Sequence, residues 1–84
     1  MVGIALIRNE YCADMEYEAK EVVGVFKTYE SAFIAMADDR SEWKKHNDVL
    51  YEDEKSLQVN MSDYSGMVSM DISYELISVK KIEA

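Results

Sequence analysis

A chain of 84 residues, 49% hydrophobic and 31% charged, is long enough for one domain with one core, spanning residues 1–84, and too apolar for disorder. Its 17 acidic side chains against 9 basic ones give a net charge of −8, which repels nucleic acid and anionic lipid and either favours a protein partner with a basic surface or only keeps the chain soluble. The single cysteine, Cys12, excludes an intramolecular disulfide, and no stretch reaches the ~20 apolar residues of a membrane span.

The opening run Met-Val-Gly-Ile-Ala-Leu-Ile-Arg lacks a basic start and is too short for the core of a signal peptide. A cytoplasmic location is the expectation. Within that run, Val2 to Ile7 reads as a strand with apolar residues on both faces, which suits an interior position in a sheet. Asn9 to Glu21 reads as an acidic connection. Val22-Val23-Gly24-Val25-Phe26 reads as a second strand, with Gly24 marking a bulge or a close approach of another chain segment.

A helix is predicted over residues 29–46. Thr28 is a good N-cap for the backbone N–H of Glu30 or Ser31. Glu30 suits the positive end of the helix dipole, and Lys44, Lys45 and His46 suit the negative end. Asn47 stops the helix if it takes the left-handed conformation. At 100° per residue, Tyr29, Ala32, Phe33, Met36, Ala37 and Trp43 form the inward arc. Arg40 falls inside it, with its stem on the core and its head in water. Asp38, Asp39, Glu42 and Lys45 cover the outer side, and Ile34 falls among them, exposed.

Asp48 to Lys55 reads as a charged connector. Ser56 to Ser62 alternates, with Leu57, Val59 and Met61 inward. Asp63-Tyr64-Ser65-Gly66 reads as a tight turn. Val68, Met70, Ile72, Tyr74 and Leu76 then share one face of a strand, while Ile77 and Val79 continue the pattern one residue out of step, which predicts a bulge or bend near Leu76. The order is β-β-α-β-β. The predicted fold is α+β, a four-stranded, mostly antiparallel sheet with one helix packed on one face. Such a fold leaves Ile7 and one of Val22 and Val23 on an uncovered face, which points to a homodimer or a partner.

Catalytic chemistry finds little support in the sequence. Cys12 and His46 are the sole candidates for a nucleophile and base, nothing in the sequence brings them together, and Glu10 and Asp14 would disfavour a thiolate. The spacing of ligands for zinc or calcium is absent, as are a phosphate-binding glycine loop and a nucleophile elbow. No catalytic residue, metal or cofactor is expected. Two features suggest contact instead. One is an acidic band of Asp38, Asp39 and Glu42 on the helix followed by Asp48, Glu52, Asp53 and Glu54, a row of carboxylates spaced to imitate a phosphate backbone. The other is a set of apolar side chains expected at the surface, namely Ile34, Met15, Tyr17, Tyr64 and Met67.

The segment Val22-Val23-Gly24-Val25-Phe26-Lys27-Thr28-Tyr29-Glu30-Ser31-Ala32 resembles a strand-to-capped-helix corner of small phage, prophage and bacterial proteins of unknown function. Those proteins often close with a strand resembling Ser73-Tyr74-Glu75-Leu76-Ile77-Ser78-Val79. The resemblance covers about half of the chain, which departs from it in the Ser56–Met70 hairpin. It implies an α+β fold and a phage origin, with the host cell cytoplasm as location, and assigns no site residue. The function expected is a non-enzymatic acidic binding protein, a phage-encoded inhibitor of a host or defence protein that acts through a surface mimicking nucleic acid. The alternatives are a homo-oligomeric module holding a small ligand such as a nucleotide between subunits, and a protein with no dedicated acidic site.

Overall fold

A computed structural model of the chain describes residues 2–13, 15–61 and 68–80. The elements are β1 (Val2–Cys12), β2 (Tyr17–Phe26), α1 (Tyr29–His46), β3 (Asp48–Glu52), β4 (Ser56–Asn60) and β5 (Ser69–Lys80). The strands form one sheet in the order β2-β1-β5-β4-β3, and every neighbouring pair is antiparallel. The helix crosses one face. The fold is α+β with one helix, and the sheet has five strands where four are predicted. The predicted turn at Asp63–Gly66, with Tyr64 and Met67, lies outside the described residues.

The additional strand arises from the supposed connector. Val49, Leu50 and Tyr51 are three consecutive strand formers between acidic residues. They pair with β4 through a bulge, since Val49 faces Val59 and Tyr51 faces Gln58. The acidic segment Asn9–Glu21 is likewise a hairpin rather than a loop, with Arg8 opposite Glu21 and Cys12 opposite Tyr17. Its alternation is between charged and neutral side chains, so apolar periodicity does not reveal it. Gly24 does sit beside a bulge, where the register moves from Leu6↔Gly24 to Ile7↔Val22. A Cβ there would meet the Phe26 ring at 2.8 Å, so that ring lies directly over the glycine.

The predicted irregularity near Leu76 is not found. Pairing of β1 with β5 runs unbroken from Val2↔Lys80 to Tyr11↔Asp71. Ile77 and Val79 therefore belong to the sheet face away from the helix. That face also carries Ala5, Ile7, Val22 and Val25, as cross-strand pairing requires. Ala5 is buried between Val25 and Ile77, while Val22 and Val25 are 63% and 60% exposed.

The helix ends behave as the sequence predicts at one terminus and differently at the other. Thr28 Oγ1 accepts from Ser31 N at 3.1 Å. Asn47 is extended, not left-handed, with φ −141° and ψ 149°. It stops the helix by donating from both its backbone N–H and its side-chain amide to the Trp43 carbonyl, each at 3.1 Å, while the chain turns straight into β3. Among the described residues no helix is long and apolar enough to cross a membrane.

The core lies between the helix C-terminal half and strands β1, β4 and β5. Cys12, Leu57, Val59, Met70 and Ile72 form it, with Trp43, Met61, Val68 and Tyr74 packed against it. Truncation of Leu57 to Ala, at a fully buried position, should lower unfolding free energy by about 2–5 kcal/mol. Ile77→Ala, on the uncovered face, should cost less than about 1 kcal/mol. Urea denaturation of the two variants measures the contrast.

Candidate functional site

Alternation along β1 turns Leu6, Arg8, Glu10 and Cys12 to the helix side, so a guanidinium sits where an apolar side chain would be ordinary. Arg8 and Asp39 retain only 15% and 17% of their side-chain exposure, and Glu10 retains 9%. Arg8 donates from Nε to Glu10 Oε2 at 3.0 Å, from Nη1 to Asp39 Oδ1 at 2.6 Å, and from Nη2 to Glu21. Its Cζ lies 5.6 Å from the centre of the Trp43 ring. The second Asp39 oxygen accepts from the Tyr74 hydroxyl at 2.6 Å. Tyr74 and Arg8 are cross-strand neighbours.

Burial is the largest influence on Arg8 and disfavours its charge, but hydrogen bonds to Asp39 and Glu10 outweigh it and hold the guanidinium protonated beyond its ordinary range. The Tyr74 hydroxyl is pushed well above the usual tyrosine value, first by burial and then by its bond to Asp39. It is therefore a fixed donor. Beside this network, Arg8, Asp39, Glu42, Trp43, His46 and Asn47 line an open cleft of about 290 Å³. His46 Nε2 stands 3.4 Å from Glu42 Oε2 at its rim.

A second cluster ties the helix to the β3–β4 hairpin. Arg40 Nη1 donates to the Asp53 carbonyl at 2.7 Å and lies 3.4 Å from Glu52 Oε2, which also pairs with Lys44. The Arg40 side chain is 16% exposed, so its head is held against the hairpin and not in water as the sequence predicts. Asp53 closes the turn. Its Oδ1 accepts from the backbone N–H groups of Lys55 and Ser56, each at 2.8 Å, and Oδ2 accepts from the Tyr51 hydroxyl at 2.9 Å. These bonds, led by that from Lys55, lower the Asp53 carboxyl to about 2, and the Tyr51 hydroxyl is raised in turn.

The acidic band thus divides. Asp39 is not on the outer side, as predicted, but half-buried on Arg8 and Tyr74; Glu52 is held by Arg40 and Lys44; Asp53 is consumed by its turn. Asp38, Glu42, Asp48 and Glu54 remain exposed. The helix face turned to the sheet is shifted towards Asp39 relative to the apolar arc. Ala32 alone on it is fully buried, and Tyr29 and Phe33 are half exposed. Ile34 is 59% exposed, and Met15 and Tyr17 are also at the surface.

Cys12 is fully buried in the core, whereas His46 lines the cleft; Trp43 packs against that core and shares the wall of the cleft. Among the described residues no group of three or more His, Cys, Asp and Glu side chains is arranged to hold a metal ion. Sequence reasoning missed Arg8, Glu10 and Tyr74 as a network and the grouping of Trp43 with His46. The signal available was the spacing Leu6, Arg8, Glu10, Cys12, which puts two charges on an otherwise apolar strand face once β1 is extended to Cys12.

Arg8→Met leaves Glu10 and Asp39 buried without their cation and should destabilise the fold by about 3–5 kcal/mol. Asp39→Asn should cost less, about 1–3 kcal/mol, because Arg8 keeps Glu10 and Glu21 and the amide oxygen still accepts from Tyr74. Denaturant titration of both variants orders the effects. The Asp53 carboxyl is lowered in the fold, so its contribution is complete above the unfolded value of about 4 and is lost as pH falls from there through about 2. Carboxyl ¹³C NMR should give Asp53 a midpoint near 2, with the Lys55 and Ser56 amide signals moving along the same curve.

No family model, no curated protein and no solved structure matches the chain.

Proposed function

We propose that the protein is a non-enzymatic binding protein that grips a basic protein surface with exposed carboxylates. The observation carrying this reading is the state of Asp38, Glu42, Asp48 and Glu54. Each is exposed, and among the described residues none lies within 4.0 Å of a lysine or arginine nitrogen. None of the four is tied to a lysine or arginine of the fold, and Glu42 alone has a basic-type neighbour, His46 at 3.4 Å, so their charge can meet a lysine- or arginine-rich groove. The phage-like strand-to-helix corner extends the reading to a host or defence protein whose nucleic-acid groove is occupied, within the cell interior. Charge reversal at Asp39 or Asp53 is no test of this function, since either change would break the fold instead.

Neutralising the four free carboxylates (Asp38→Asn, Glu42→Gln, Asp48→Asn, Glu54→Gln) should abolish affinity capture of the partner from host lysate. A control with the same net charge, Glu16→Gln, Glu18→Gln, Glu30→Gln and Asp71→Asn, should retain it. Equal capture by both variants rejects the reading.

A second reading is favoured by the uncovered sheet face, where Val22, Val25 and Ile77 are 63%, 60% and 42% exposed. It is a self-associating module that holds a small ligand between subunits. Light scattering at micromolar concentration should then give a dimer mass, and a strict monomer removes it.

A further inference from the structure

We propose that the cleft beside Trp43 receives one cationic side chain of the partner protein, arginine in preference to lysine. This inference rests on the carboxylate-grip reading above and names where that grip is most specific. The lining decides the chemistry. Among the described residues Arg8 is the one lysine or arginine in the wall, and its charge is already matched by Glu10, Asp39 and Glu21. Glu42 adds a further carboxylate at the rim, 3.4 Å from His46 Nε2 and, among the described residues, with no lysine or arginine nearby, while Lys44 is held by Glu52 and Lys45 is exposed outside the lining. Carboxylates outnumber the lysine and arginine side chains around the cleft, which favours a cation over an anion.

Trp43 supplies the second component. Its indole is half-buried, and its surroundings already hold one guanidinium, that of Arg8 at 5.6 Å from the ring centre. An aromatic wall beside carboxylates favours a flat, weakly hydrated cation over a compact, strongly hydrated one, hence arginine before lysine. The size agrees. At about 290 Å³ the cleft is at the lower limit of ligand pockets, which run from about 300 to 1,000 Å³, so it suits one side chain and not a large cofactor. Its open mouth needs a partner surface to exclude water from the bound charge.

The chain has one tryptophan, so a change in tryptophan emission arises at Trp43, which lines the cleft. The probes are three peptides of equal length, in which glycine and serine space four arginines, four lysines or four citrullines. The arginine peptide should change Trp43 emission saturably, the lysine peptide should bind more weakly, and the neutral citrulline peptide should give no response. Glu42→Gln should weaken the arginine peptide about fivefold, while Asp38→Asn, Asp48→Asn and Glu54→Gln together should weaken it less than that. Absence of a saturable emission change, or a Glu42→Gln variant that binds as the parent does, overturns the inference. The carboxylate-grip reading is judged separately by partner capture, which can be lost in the fourfold variant even when the cleft stays empty.

Discussion

A guanidinium on the covered face of a sheet is the constraint from which the rest of this structure follows. Arg8 occupies a position on the β1 face that also carries Leu6 and Cys12, both fully buried. Leaving such a charge unmatched would cost several kcal/mol, so the fold surrounds it with acceptors from three elements: Glu10 on its own strand, Glu21 on β2 and Asp39 on the helix. Asp39 is held in place by the Tyr74 hydroxyl from β5. The helix is thereby fixed in roll. Its apolar arc would place Phe33 and Ala37 inward, but the ion pair turns Asp39 in and leaves those two exposed. The position of Trp43 beside Arg8, and with it the cleft, is a consequence of that roll.

The same economy explains the division of the protein's acidity. A net charge of −8 suggests a uniformly acidic surface, yet several carboxylates are internal fittings. Glu10 and Asp39 neutralise Arg8, Glu52 anchors Arg40 and Lys44, and Asp53 builds the turn that joins β3 to β4. An aspartate in a tight turn accepts backbone N–H groups in its ionised form, which is why its carboxyl is so acidic while exposed to water. Asp38, Asp48 and Glu54 are exposed and, among the described residues, their carboxylates take no such part in the fold.

Coverage of the sheet is a matter of dimensions. Five strands about 4.8 Å apart span about 19 Å between the outer strand axes, whereas a helix with its side chains is about 10–12 Å wide. One helix therefore covers part of one face. The other face is closed at its centre by small residues, Gly3 and Ala5, packed between larger neighbours; a Cβ at Gly3 would meet Val25 at 2.9 Å. Towards the tip of the β1–β2 hairpin that face becomes polar, with Asn9 donating to Glu75 and Lys20 pairing with it.

Local chemistry determined much of this protein from sequence alone. The Thr28 cap, the helix from Tyr29 to His46, the bulge at Gly24 and the β4 alternation all depend on residues within a few positions of one another, so the chain declares them. The α+β class follows from their order. Tertiary structure decided what depends on partners far along the chain. It made strands of Glu18 to Glu21 and of Val49 to Tyr51, because backbone pairing with β1 and β4 is indifferent to side-chain polarity. It sent Ile77 and Val79 to the open face without a bulge, because β1 held β5 in register. Above all it chose which acidic residues face water. Asp38 and Asp39 are adjacent and chemically alike, and Arg8, 31 positions before Asp39, and Tyr74, 35 positions after it, separate their roles.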